Sequence, residues 1–460
     1  MPFAFVDNNA AIDHAARRKI RSHVARGRNA GKTVVRPSRK KAETTAAALV
    51  RLAGEARDQM LLHRQIGDRL SMVGLLSRAA HAGIQESGPT GLCLYLWPSA
   101  HPRTEQCPGD DDWKLGLDVD FHCAVAVSVT ALNNLVIKQE DPIEAVQHIS
   151  HAFRLINAKL SGDGAVSDTT IASVIIMSQY ERLQGQYRQG VVHLEGLQRM
   201  VELRGGISKL TKNQHGMAQK IFRADLEFSL HLGSETRFRI EDIAYCSSNS
   251  SQAIFRLSSS FRRQDDSKSP EILNSRLLAR LSANLQDLLI DMTNLAWLLN
   301  DASAGYRPKV QGYAYHDALL QLGYRLVNMS PLGGPRPSNR LENAVHLGLT
   351  AFFITLFCGL DYKMIKSPLL NDLASSAAQE PFDGDQENQE VLLWLLFIGG
   401  ASVFKQPDDA WLTPKTTQTM KNLDLHTWED ARQILVRFPW VSVIHDKAGR
   451  LQTCSQGLLE

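Results

Sequence analysis

The chain reads as an all-α protein, a large multi-helix domain preceded by a flexible basic N-terminal arm. Three observations carry that reading. Apolar side chains recur at gaps of three and four over long stretches, the signature of a one-sided helix, while strict alternation is nearly wanting. Apolar residues at 43% and charged residues at 22% are ordinary for a globular chain, which excludes a mainly disordered or collagen-like one. The charge is also segregated. Residues 1–41 hold eleven Lys/Arg against Asp7 and Asp13, a net of +9, while the rest of the chain holds forty basic against forty-six acidic side chains, a net of −6.

The arm (residues 1–45) comes first in order. Its cations are Arg17, Arg18, Lys19, Arg21, Arg26, Arg28, Lys32, Arg36, Arg39, Lys40 and Lys41. Residues 13–26 have a short helical pattern with Ala16, Ile20 and Val24 on one side, ended by Gly27 and Gly31; the patch 36–41 has none. Cations at this density neutralise phosphates and release counterions, and they suit a nuclear import receptor equally well. Nuclear targeting, with or without non-specific DNA contact, is the favoured reading. A merely solvated tail is the bland rival. Sequence-specific reading of DNA needs a rigid element held in a groove, because phosphate contacts carry no base information. A membrane or calmodulin-type target helix is disfavoured, since Ala16, Ile20 and Val24 offer little area and no aromatic anchor. The string Gly27-Arg28-Asn29-Ala30-Gly31-Lys32-Thr33 resembles a P-loop but has three residues between its glycines where the motif needs four, and no apolar strand leads into it. The opening run Met1 to Val6 is too short for a signal peptide.

The remainder, 46–460, is expected to form one helical domain. Ser269, Pro270 and Glu271 form a helix-start signal, followed by a stripe running from Ile272 through Leu277, Leu281, Leu285, Leu289 and Met292 to Leu299. Weaker helical patterns cover 121–137, 141–160, 168–204, 217–232 and 341–360, with Gly205-Gly206 placed to end the third as a left-handed cap. Loops are expected at 98–112, 258–270, 330–340 and 371–389, each rich in Pro, Gly, Ser or acids. Residues 441–444 have an isolated extended pattern. The apolar stretches 345–360 and 391–404, sixteen and fourteen residues long, fall short of the roughly 20 a bilayer needs, so buried helices are expected and no membrane partner.

Chemistry is sparse. Six cysteines stand at least fourteen positions apart, which fits a reducing compartment and allows neither a dense disulfide frame nor a C-x-x-C knuckle. His148 and His151 are three apart on an expected helix but have no third ligand in view, and His193 and Glu195 point to different faces. No nucleophile elbow, dinucleotide loop or deaminase signature occurs. No catalytic residue, metal site or cofactor is therefore expected. Trp297, Trp394, Trp411, Trp428 and Trp440, with Phe352, Phe353 and Phe357, can line a ligand cavity, although core packing is the stronger expectation.

Two motifs carry a resemblance. Residues 20–32, Ile-Arg-Ser-His-Val-Ala-Arg-Gly-Arg-Asn-Ala-Gly-Lys, resemble the leader of many filamentous-fungal regulator-like proteins. Residues 193–206, His-Leu-Glu-Gly-Leu-Gln-Arg-Met-Val-Glu-Leu-Arg-Gly-Gly, are similar to a helix of the fungal-specific transcription factor domain, with residues 221–226 standing where that family places its next helix. The resemblance implies an all-helical regulatory domain, a nuclear location and a role in transcription. Members that bind DNA alone carry six closely spaced cysteines holding two zinc ions. Here the first is Cys93 and the following gaps are 14, 16, 123, 112 and 96 residues, which cannot form such a cluster. DNA contact is then expected through the arm or through a DNA-binding partner protein, and a homo- or heterodimer is compatible with the sequence. The rival reading is an all-helical enzyme or small-molecule carrier of a fungal metabolic pathway.

Overall fold

Helical periodicity is realised as helix throughout the described part of the chain. The computed structural model describes residues 84–85, 143–213, 215–239, 241, 275–357, 367–382, 384–404 and 410–454, all within Arg69–Glu460, one of the two units into which the chain divides. The basic arm lies outside the described residues. So do the expected helix over 121–137, the loops 98–112 and 258–270, and the start signal at 269–271. Among the described residues there are fourteen helices and one two-residue parallel pairing, so the protein is all-α.

Helix α1 (Ile143–Leu160) falls within its expected span. The pattern over 168–204 proves to be two helices, α2 (Asp168–Leu183) and α3 (Tyr187–Leu203), packed against each other. Gly185 breaks the run at φ +75°, and the Gln186 N–H closes the turn on Glu181 O at 2.8 Å. The apolar phase resumes after the turn, which is why periodicity alone did not show the break. Ser167 caps α2 by accepting the Thr170 N–H at 3.2 Å. At the far end of α3, Gly205 and Gly206 both take φ +93°, and the Gly206 N–H reaches Val201 O at 3.0 Å, which is the expected left-handed cap. Helices α4 (Ile207–Asn213) and α5 (His215–Leu232) follow.

The stripe from Leu277 to Leu299 is buried as expected, but it too is interrupted. It divides into α6 (Ser275–Ala279) and α7 (Ala283–Ser303). Ser282 takes an extended conformation between them, with its N–H held by the Glu342 carboxylate. Strand β2 (Val310–Gln311) pairs in parallel with β1 (Ile84–Gln85) and leads into α8 (Gly312–Met329). The loop at 330–339 and α9 (Arg340–Phe357) match their expected places.

Two expectations are corrected. The polar stretch 371–389 is mostly helical, divided between α10 (Pro368–Gln379) and α11 (Gln386–Ser402). Ser367 caps α10, Pro368 opens it, and Ala374, Ala377 and Ala378 join Leu370 in a buried face that a polar composition hides. After α12 (Leu412–Asn422) and α13 (Trp428–Leu435), residues 442–444 begin α14 (Ser442–Cys454) instead of a strand. The His445 N–H bonds Val441 O at 2.9 Å, a helical turn, and Val443 stands 48% exposed.

The centre of the C-terminal half is the α9–α11 pair, whose apolar runs are buried nearly end to end. Gly348 lets them approach, because a Cβ there would lie 2.4 Å from the Trp394 ring. No helix among the described residues is long and apolar enough to cross a membrane.

Candidate functional site

The cations expected to carry function, Arg17 to Lys41, lie outside the described residues. Within them, polar chemistry concentrates around α5. That helix is enclosed on every side from Ile221 to Leu230, yet it carries Arg223, Asp225, Glu227 and Ser229 in its interior. Buried charges must be paired and hydrogen-bonded, so each of these side chains organises its surroundings.

On one side stands an arginine–carboxylate cluster. Glu227 Oε1 accepts from Arg223 Nε at 2.9 Å, and its Oε2 lies 3.3 Å from Arg182 Nε, an ion-pair distance without hydrogen-bond geometry. Arg223 Nη2 donates to Phe357 O at 2.8 Å, and its guanidinium lies 4.6 Å from the centroid of the Phe357 ring. This arginine therefore ties α5 to the end of α9. Arg182 ties α2 to α5 through its ion pair with the same carboxylate. His193 of α3 approaches Glu181 at 3.8 Å, and His231 stacks on Tyr187. Desolvation and then the Arg182 charge push His231 down to about 4.

On another side Asp225 holds the segment that follows α5. It accepts the Arg237 N–H at 2.9 Å, the Phe238 N–H at 3.2 Å and the Tyr324 hydroxyl at 2.8 Å. Burial raises its pKa, and these hydrogen bonds oppose the rise. Farther along, Gln219 donates to Asp317 of α8.

Between α5, α8 and α9 lies a small cleft of about 190 Å³ including its open mouth, bordered by Ser229, Leu326, Ser330, Leu332, His346 and Thr350. His346 is the most constrained of these. Its Nδ1 lies 2.9 Å from Arg336 Nη2, which can only donate, so Nδ1 accepts and Nε2 carries the proton given to Leu326 O at 3.0 Å. Desolvation and the Arg336 charge hold it neutral, down to about 4. Arg336 also binds Asn343 Oδ1 and Ser330, which fastens the 330–339 loop over α9. The hydroxyls bordering the cleft all donate to backbone carbonyls: Ser229 to Glu235, Ser330 to Pro335 and Thr350 to His346. A histidine with both nitrogens engaged and a depressed pKa is no proton acceptor near pH 7, and hydroxyls so used are not poised as nucleophiles. The space is also below the roughly 300–1,000 Å³ of a typical small-molecule site. The cluster does the work of fixing α5 and the loops around it.

His151 Nδ1 accepts from Arg154 at 3.2 Å, and among the described residues no group of three or more His, Cys, Asp and Glu is placed to hold a metal. Trp394, Trp428 and Trp440 pack in the core, and no tryptophan among the described residues borders the cleft. Trp394 and Trp440 are fully buried, Trp394 Nε1 donates to Pro439 O at 3.2 Å, and Trp440 Nε1 donates to Asp446 at 2.7 Å. Sequence reasoning missed the cluster on α5. The available signal was Arg223, Asp225 and Glu227 at alternate positions among Ile221, Phe222, Leu226, Phe228 and Leu230, since one helix cannot turn both sets toward water.

The family model of the fungal-specific transcription factor domain matches residues 118–438, more than half of the chain. That span includes the α3 motif and α5, and it continues well past residue 260, where the sequence resemblance rested on helical character alone. No curated protein and no solved structure matches the chain. By the extent of that match, the protein belongs to the fungal-specific transcription factor domain family.

Proposed function

We propose that the protein is a nuclear, transcription-regulator-like protein whose helical domain binds a partner or effector and whose basic arm engages an import receptor and DNA phosphates. The observation that carries this reading is the family match over 118–438, which implies a regulatory and non-enzymatic role. Charge segregation supports the division of labour, since the arm is strongly cationic and the rest of the chain mildly acidic. The cysteine spacing within this chain cannot build a binuclear zinc cluster, so DNA contact falls to Arg17, Arg18, Lys19, Arg21, Arg26, Arg28, Lys32, Arg36, Arg39, Lys40 and Lys41 or to a DNA-binding partner.

Two measurements test it. A fluorescent fusion lacking residues 1–41 is expected to lose nuclear accumulation, and an unchanged nuclear signal removes the arm from the account. DNA affinity carried by six to ten phosphate contacts is expected to fall about 10³–10⁵-fold between roughly 50 and 200 mM salt. A flat response removes direct nucleic-acid contact and leaves the partner-mediated form.

A further inference from the structure

Helix α3 packs Leu194, Leu197, Met200 and Val201 inward and leaves a contiguous stripe outward, Val192, Glu195, Gly196, Arg199, Glu202 and Leu203. Val192 is 64% and Leu203 61% exposed, with both aliphatic side chains at the ends of the stripe. At its middle sits a glycine with no internal reason to be one. Farther into their helices, Gly190, Gly323, Gly348, Gly399, Gly400 and Gly449 would each drive a Cβ to within 2.2–2.4 Å of a packed side chain. Gly196 has nothing within 4 Å and does not take a positive φ. Glycine in an exposed helix interior is destabilising relative to alanine, so a close approach from outside is the remaining physical use for it.

We propose that this face docks a second copy of the chain, α3 against α3 in antiparallel array about a two-fold axis near residues 197–198. The stripe is complementary to itself only in that sense. Val192 of each copy meets Leu203 of the other, and Glu195 meets Arg199 across the axis, twice. The aliphatic stem of each Arg199 crosses the bare backbone at Gly196 of the facing helix. A parallel pairing would set Glu195 on Glu195 and Arg199 on Arg199. Among the described residues Arg199 pairs with Glu202 on the surface, at 3.2 Å with side chains 70% and 51% exposed, a pairing that costs little to exchange. An isologous contact of this kind closes into a dimer without further growth. One helix of 17 residues is about 25 Å long, so the interface lies at or below the low end of stable ones, about 1,200 Å², and an affinity of order micromolar is expected.

Sedimentation velocity on the full chain from about 1 to about 100 μM is the test, a range that brackets such an affinity. A reversible monomer–dimer shift is expected. Arg199→Glu places four carboxylates near the axis and is expected to weaken the dimer at least tenfold, while the double variant Glu195→Arg/Arg199→Glu restores it by exchanging the charges. Gly196→Ala is expected to raise the melting temperature and weaken the dimer together, which separates loss of the interface from loss of the fold. A monomer at every concentration overturns the proposal, as does a dimer indifferent to Arg199→Glu.

Discussion

The two halves of the described domain solve burial differently. Around α5, with α2, α3 and α8 packed on it, stability rests on ionisable groups taken out of water and given partners: Arg182, Arg223 and Glu227 on one side, Asp225 under Tyr324 and two backbone N–H groups on another. Around α11, with α9, α13 and α14 packed on it, the same enclosure is reached with rings and aliphatic side chains. Trp394 stacks on Phe438, Trp428 lies near Phe397 and Trp440, and His445 serves as a neutral ring among them. Charge pairs specify who their neighbours are but depend on every member being present. Rings depend on volume, and any well-shaped apolar filling substitutes in part.

That difference sets the largest expected effects. Glu227→Ala leaves two arginines facing each other without their shared carboxylate, and unfolding in urea should show a loss of about 3–5 kcal/mol. Replacing Arg182 and Arg223 by Met and Glu227 by Leu together should recover most of that loss, because desolvation disappears along with attraction. Trp394→Ala should also cost about 3–5 kcal/mol, through lost contacts and a cavity between α9 and α11. No companion change among polar neighbours should rescue it; a nearby enlargement such as Gly348→Ala should, since the missing ring is what forbids a Cβ there. Rescue of Trp394→Ala by substitutions at its polar neighbours, to the extent that removing both arginines rescues the loss of Glu227, would erase the distinction between the halves.

The next effect is pH dependence, and it samples both halves. His231 beside α5 and His346 at the cleft are held down to about 4, and His445 in the aromatic half to about 3, burial being the first cause in each. A folded-state pKa below the unfolded value of 6.5 means that the unfolded chain binds protons first as pH falls. Stability from these rings is therefore complete above pH 6.5 and is lost progressively below it, until the folded pKa near 4 or 3 is passed. At pH 5 each fully buried ring should have surrendered about 2 kcal/mol relative to pH 7. His445→Gln should flatten the slope between pH 7 and 5 even if it lowers stability overall, and an unchanged slope would mean that this ring does not titrate with unfolding.

The same contrast explains what was legible in the sequence. Helices α9 and α11 are apolar all round, so their burial follows from composition. The cap of α3 was readable because Gly205-Gly206 has a specific backbone use. The break at Gly185 was not, since apolar spacing kept its phase across the turn, and α10 was hidden because alanines made its buried face. The cluster on α5 was hidden for a deeper reason. Arg182, Arg223 and Glu227 meet across 45 residues of chain, and nothing local distinguishes a carboxylate destined for two arginines from one destined for water. As for the arm, its charge was plain from the residues alone, whereas what it touches is a property of the pair and not of the chain.

The smallest expected effects compare a helix cap in each half. Ser167 accepts the Thr170 N–H at 3.2 Å and also meets the Thr170 hydroxyl at 2.9 Å, so Ser167→Ala removes a junction that joins the cap to the turn before α2. Ser367 accepts the Leu370 N–H at 3.4 Å, near the limit of useful length, and Pro368 already presets the first turn of α10. Thermal unfolding should therefore assign about 1 kcal/mol to Ser167→Ala and no more than about 0.5 to Ser367→Ala. Reversal of that order would mean that the Ser367 hydroxyl contributes more through its buried position than through its bond, and the cap of α10 would then belong with the packed half of the molecule.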